Sequence, residues 1–213
     1  MYQQSRTCPL PLPPIRLAPD VYRHYRQTIA QHPPETCALL GGYLDDPFLV
    51  TDFRFCPPQR QSNGGFDASS SHINIDHDLM NWIVDHEWKP SGRYMIGIWH
   101  SHPNGTTRPS IGDTASNSGD LPFFTSCLES DDSPGRNWRH FLAPITTFGS
   151  DGQDRLHGWV LSRGSTFPRP ALIIIDPVPV AALADLAAGG SSFPLPSHIS
   201  RLVVSEQSNE ALF

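Results

Sequence analysis

Two histidines one residue apart and followed by proline, His100-Ser101-His102-Pro103, stand directly after the apolar run Tyr94-Met95-Ile96-Gly97-Ile98-Trp99. In an extended strand, residues i and i+2 leave the backbone on the same side, so both imidazoles project together from the strand end. Pro103 prevents the strand from continuing and turns the chain. Eleven residues past the second histidine comes Asp113, a carboxylate that a following helix can carry back toward the strand end. Two imidazoles and one carboxylate leave a fourth tetrahedral position for water, which separates a catalytic zinc from a closed structural one. A centre of this kind needs a base for the proton of that water and a donor for the oxyanion its attack creates. A bare His-x-His also occurs on ordinary protein surfaces.

The elements that must position these residues are legible in outline. Val21, Tyr25 and Ile29 lie four apart after Pro19, predicting a helix that Pro33-Pro34 stops. Cys37 to Tyr43 and Phe48 to Phe55 read as a strand hairpin turning at Asp45-Asp46-Pro47, with Leu49, Thr51, Phe53 and Phe55 on one face of the second strand. Asp76 is placed to cap a helix whose apolar stripe is Leu79, Met80, Ile83, Val84 and Trp88, ending at Pro90-Ser91-Gly92. The unbroken apolar run 94–99 marks a strand buried on both faces. Phe141 to Phe148, Leu156 to Leu161 and Ala171 to Ile175 predict three further strands. Pro57 to Ser71 and Gly119 to Asn137 are polar and aperiodic, and we expect both to be long loops. Ser110-x-x-Asp113 also reads as a helix capping box, which would place Asp113 in a first helical turn.

With these residues in view, His100-Ser101-His102-Pro103, six residues, then Ser110-Ile111-Gly112-Asp113 resembles the signature of the JAMM (MPN+, Mov34/JAB) zinc metalloproteases. Glu35, opening Glu35-Thr36-Cys37-Ala38-Leu39-Leu40-Gly41-Gly42, resembles the acid on that family's first core strand. The likeness covers Ile15 to about Leu161. It implies an α/β fold of the cytidine-deaminase-like (JAB/MPN) kind, a mixed sheet flanked by helices. It further implies Zn²⁺ held by His100, His102 and Asp113. Glu35 would hold and deprotonate the water and pass the proton to the leaving amine, and Ser110 would donate to the oxyanion. Neither Ser101 nor the cysteines receive a role, Cys37 and Cys127 reading as small buried apolar residues.

On this reading residues 1–14 form a proline-rich arm, 15–176 the catalytic domain and 177–213 a C-terminal extension in which only Val178 to Ala188 could be helical. The expected activity is hydrolysis of the peptide or isopeptide bond at the C-terminus of a ubiquitin-like protein, within a bacterial conjugation system of the antiphage type. The loops 57–71 and 119–137 would grip the modifier's tail. The alternatives are trimming of a sulfur-carrier protein, a non-catalytic MPN scaffold, and a RadC-like protein. A scaffold has no need to keep Glu35, His100, His102, Ser110 and Asp113 together.

Composition bounds the rest. Twenty-two prolines and 16 glycines in 213 residues exclude a long helical bundle. A net charge of −6 with no Lys/Arg cluster speaks against nucleic acid as a partner. The longest apolar runs are far short of a membrane span. Met1 to Arg6 has no apolar leader segment, and four cysteines form no C-x-x-C pair, so a reducing cytoplasm is the expected setting.

Overall fold

Short apolar runs punctuated by proline and glycine make strands of modest length, and the longest of them organises the molecule. The computed structural model describes residues 11–31, 35–56, 68–69, 73–112, 119–129 and 138–176. Its strands are β1 (Ile15–Leu17), β2 (Cys37–Gly42), β3 (Leu49–Val50), β4 (Asp52–Cys56), β5 (Tyr94–His102), β6 (His140–Leu142), β7 (Ile145–Phe148), β8 (Asp154–Ser162), β9 (Arg169–Ala171) and β10 (Ile173–Ile175). Its helices are α1 (Pro19–Gln27), α2 (His77–Trp82) and α3 (Asp120–Glu129). A seven-stranded mixed sheet runs β4-β2-β5-β6-β8-β7, with β9 on β8 and β7 also on β5. A small sheet, β10-β1-β3, stands apart from it.

β5 lies at the centre, antiparallel to β2 on one side and parallel to β6 and β7 on the other. Its alternation assigns the faces. Trp99 packs toward α1, stacking on Tyr25 at 4.2 Å between ring centroids and donating its indole N–H to Thr146 Oγ1 at 2.9 Å. His100 faces α3, where Phe124 lies 6.2 Å away and stacks in turn on Phe141. The sheet is therefore flanked by helices on both faces, as the α/β expectation required. Gly97 is where β5 and β6 come closest. A Cβ there would meet the Leu142 carbonyl oxygen at 2.1 Å, so no larger residue fits that register.

Several elements follow the sequence reading closely. α1 begins at Pro19 and buries Val21 and Tyr25. Asp76 accepts a hydrogen bond from the Leu79 amide, which caps α2 as its position suggested. The chain continues through a wide π-type turn, Ile83–Trp88, and stops at Gly92 with φ +72°.

Others differ. Phe48 to Phe55 is two strands, because β3 pairs with β1 in the small sheet and β4 with β2 in the large one. Phe141 to Phe148 divides at Ala143-Pro144, and β9 and β10 divide Ala171 to Ile175 between the sheets. The expectation of a loop over 119–137 is overturned in its first half, where Asp120–Glu129 is α-helix. Leu121, Phe124 and Leu128 recur at helical spacing and are buried. Pro122 sits in the first turn, where its missing N–H costs nothing. Residues 1–10 of the arm, most of 57–71, all of 130–137 and the extension 177–213, with its expected helix at Val178 to Ala188, lie outside the described residues.

Candidate metal centre and catalytic site

Pairing across the sheet brings Glu35 to the histidines. Cys37 is the register partner of His100, so the start of β2 lies beside the end of β5. Glu35 and Cys37, two apart, line the same cavity as His100 and His102. Glu35, His100 and His102 are each at most 6% exposed, and one ligand atom from each lies within 4.8 Å of the others. Buried ionisable groups gathered in this way need a compensating partner.

The helix side closes the site. α3 starts at Asp120, whose Oδ1 lies 3.4 Å from His100 Nε2 and whose Oδ2 lies 3.6 Å from His102 Nε2. The two Nε2 atoms are 2.9 Å apart. A tetrahedral ion with bonds of about 2.1 Å sets its donors about 3.4 Å apart. The contacts among His100, His102 and Asp120 are of that size, each histidine facing a different oxygen of the carboxylate, and the donor set suits zinc. Glu35 stands slightly further out, its Oε1 being 3.9 Å from His102 Nε2.

Ser110 joins this arrangement because it and Asp120 each donate a main-chain N–H to the other's side chain. Ser110 N–H donates to Asp120 Oδ2 at 2.6 Å, and Asp120 N–H donates to Ser110 Oγ at 2.9 Å. Leu121 N–H donates to the Ser110 carbonyl at 3.1 Å. The chain leaves at Ile111 and returns at Gly119, where a Cβ would lie 2.5 Å from Gly112 Cα. Both glycines have positive φ, +66° and +101°. Burial opposes the charge on Asp120, but the neighbouring His100 and hydrogen bonds from both histidines and the Ser110 amide hold its carboxyl well below the usual range.

The orientation of His102 is set from its far side. Its Nδ1 lies 2.7 Å from the Thr106 carbonyl, which makes Nδ1 the protonated nitrogen and turns the Nε2 lone pair toward the cavity. Burial works against the imidazolium here, yet the Asp120 and Thr106 hydrogen bonds outweigh it and raise the pKa. The loop supplying Thr106 is braced twice, by Thr106 N–H on Asn104 Oδ1 at 3.0 Å and by the Trp159 indole N–H on the Thr107 carbonyl at 2.8 Å.

Of the residues singled out by spacing and resemblance, the structure gathers Glu35, His100, His102 and Ser110; Asp113 lies outside the described residues. Asp120 was missed. Its signal was the stripe Leu121, Phe124, Leu128, which marks Asp120 as the first residue of a helix. Of the two cysteines read as buried, Cys37 is buried and Cys127 half-buried. The Cys37 thiol is pushed well up by the adjacent Cys56 thiol and by burial. Burial pushes the Cys127 thiol up to about 12. The cavity has a volume of about 360 Å³ and is also lined by Ile73, Ile75, His77 and Phe123. That is the size of a small-molecule or short-peptide site. Among the described residues, no helix is long and apolar enough to cross a membrane.

Residues 18–141 match the sequence model for prokaryotic homologs of the JAB domain. No curated protein matches the chain. Among solved structures, it is similar to a protein of Desulfitobacterium hafniense at 16% identity and TM-score 0.46, covering 76% of this chain and 92% of that one. A protein of Salinibacter ruber matches at 22% identity and TM-score 0.44, over 77% and 92%. A JAB1/MPN domain protein of Archaeoglobus fulgidus matches at 15% identity and TM-score 0.36, over 76% and 98%.

Proposed function

We propose that this chain, which belongs to the family of prokaryotic homologs of the JAB domain, is a zinc-dependent hydrolase of peptide or isopeptide bonds at the C-terminus of a ubiquitin-like protein. The observation that carries the hydrolytic part is the triangle of His100, His102 and Asp120 with Glu35 standing 3.9 Å from His102. A bound zinc supplies the Lewis acidity that makes water nucleophilic near neutral pH. His100, His102 and Asp120 would hold it. Glu35 accepts the proton released as the nucleophile forms and returns it to the departing amine, the two roles one carboxylate can fill in sequence. Ser110 Oγ already accepts the Asp120 amide, so its own proton stays available for the carbonyl oxygen that gains charge.

Two considerations support the substrate class. The cavity admits a short extended segment and no folded domain, so the scissile bond must lie on a tail. Among the described residues the strand β4 ends one side of the large sheet, the kind of edge to which extended tails add. A bacterial conjugation system of the antiphage type supplies such modifiers, and neighbouring genes for a small protein ending in Gly-Gly with activating and conjugating enzymes would identify it. Trimming of a sulfur-carrier tail is the same chemistry on a free modifier.

The test is a ubiquitin-like protein joined through its C-terminal glycine to a fluorescent reporter. We expect one cut at the junction, blocked by a zinc chelator. In Glu35→Gln, zinc should stay bound while turnover falls by roughly 10²- to 10⁴-fold. Scattered cleavage, or equal cleavage of unfolded chains, identifies a general peptidase instead. Full activity in Glu35→Gln removes Glu35 as the base.

A further inference from the structure

Between the two histidines lies Ser101, whose side chain alternation turns away from the cavity. It is fully buried. Regular pairing of β2 with β5 ends at Cys37 and His100, so Glu35 lies two residues beyond the last register pair. Strand ends of this kind open readily unless something holds them. Here the pairing is carried one residue further by an exchange that uses a side chain. Ser101 N–H donates to the Thr36 carbonyl at 2.9 Å, and Thr36 N–H donates to Ser101 Oγ at 3.0 Å, where a main-chain carbonyl would ordinarily accept. The Thr36 hydroxyl also lies 3.2 Å from Ser101 Oγ. On the other side of Glu35, its own amide donates to the Ser69 carbonyl at 2.7 Å.

We propose that Ser101 is a positioning residue for Glu35, fixing the segment that carries the base to the strand that carries both imidazoles. The inference rests on the hydrolase reading above. The base and the two imidazoles are referenced to one residue: β5 sets His100 and His102, and the hydroxyl between them sets Thr36, the neighbour of Glu35. Misplacement of a reacting group by about 1 Å can cost roughly 10²-fold in rate. The imidazoles themselves remain held by β2 and β7, so metal binding does not depend on the hydroxyl.

Ser101→Ala tests it, read in three ways. The Thr36 amide should exchange with solvent at least about tenfold faster in the metal-free protein, since its buried acceptor is gone. In the zinc-loaded protein, kcat on the modifier–reporter fusion should fall roughly 10- to 100-fold, with KM and the zinc Kd, from chelator competition, within about threefold. Ser101→Thr restores the acceptor and should restore slow exchange and rate. If Ser101→Ala does not fold, Ser101→Cys, of similar size but a poor acceptor, carries the same expectations. Unchanged kcat and Thr36 exchange overturn the proposal, and so does a loss of zinc affinity in step with kcat, which makes Ser101 a support of the metal ligands instead. A wild-type chain that binds no zinc and cuts no fusion sinks the hydrolase reading, while the exchange arm still reports whether Ser101 holds the strand end.

Discussion

His100 and His102 meet Asp120 at one point, but the two sides are held there by different means. The imidazoles stand on a central strand paired along both edges, with Trp99 and Ser101 anchored on the opposite face. Asp120 stands at the start of a helix and is brought into place by its exchange of hydrogen bonds with Ser110, ten residues earlier. On the strand side, position follows from register, which the whole sheet enforces. On the helix side it follows from a few contacts that close a chain excursion. A strand-borne ligand is therefore readable from local spacing, whereas a ligand behind an excursion is readable only once the excursion's closure is known.

Zinc affinity offers a single scale on which to test this difference. Asp120→Asn should weaken zinc by more than the roughly 10- to 100-fold that losing an outer partner costs, because an anionic carboxylate donor becomes a neutral and much weaker amide oxygen. Chelator competition measures it, and near wild-type affinity would return the third position to Asp113. Trp159→Phe removes one brace of the loop whose Thr106 carbonyl orients His102. We expect about tenfold weaker zinc and an altered visible spectrum of the cobalt-substituted protein, with melting of the metal-free protein nearly unchanged. An unshifted spectrum would mean that the Asn104 contact and the local turn suffice. Asp113→Asn is the competing arm, because Asp113 is the carboxylate the resemblance implies as third ligand: an affinity within about twofold of wild type leaves Asp120 as the donor. Should Asp113→Asn rather than Asp120→Asn release the metal, the spacing rule holds across the helix side as well.

How much could be read in advance follows the same division. The hairpin β2–β4, the capped helix at Asp76 and the central strand ending in His-x-His were legible because each is specified by neighbours in sequence. The splits at Thr51 and at Ala143-Pro144 were not. There the chain stays extended and changes only its pairing partner, which depends on strands far away. α3 was obscured because serine, aspartate and glycine crowd both of its ends, while its buried stripe rests on only three side chains. Ser101 was passed over since a serine between two ligands carries no pattern. Its meaning lies in Thr36, 65 positions away.

The closure at Ser110 and Asp120 also separates the length of the intervening chain from the geometry it joins. The ends of the Ile111–Gly119 excursion are pinned to each other by the glycine contact and three hydrogen bonds, so what lies between them is paid for only in loop-closure entropy. That term grows logarithmically, by about 0.6 kcal/mol for each doubling of length. Adding glycines between Gly112 and Gly119 should therefore lower the melting temperature only slightly, provided the Ser110–Asp120 contacts are kept.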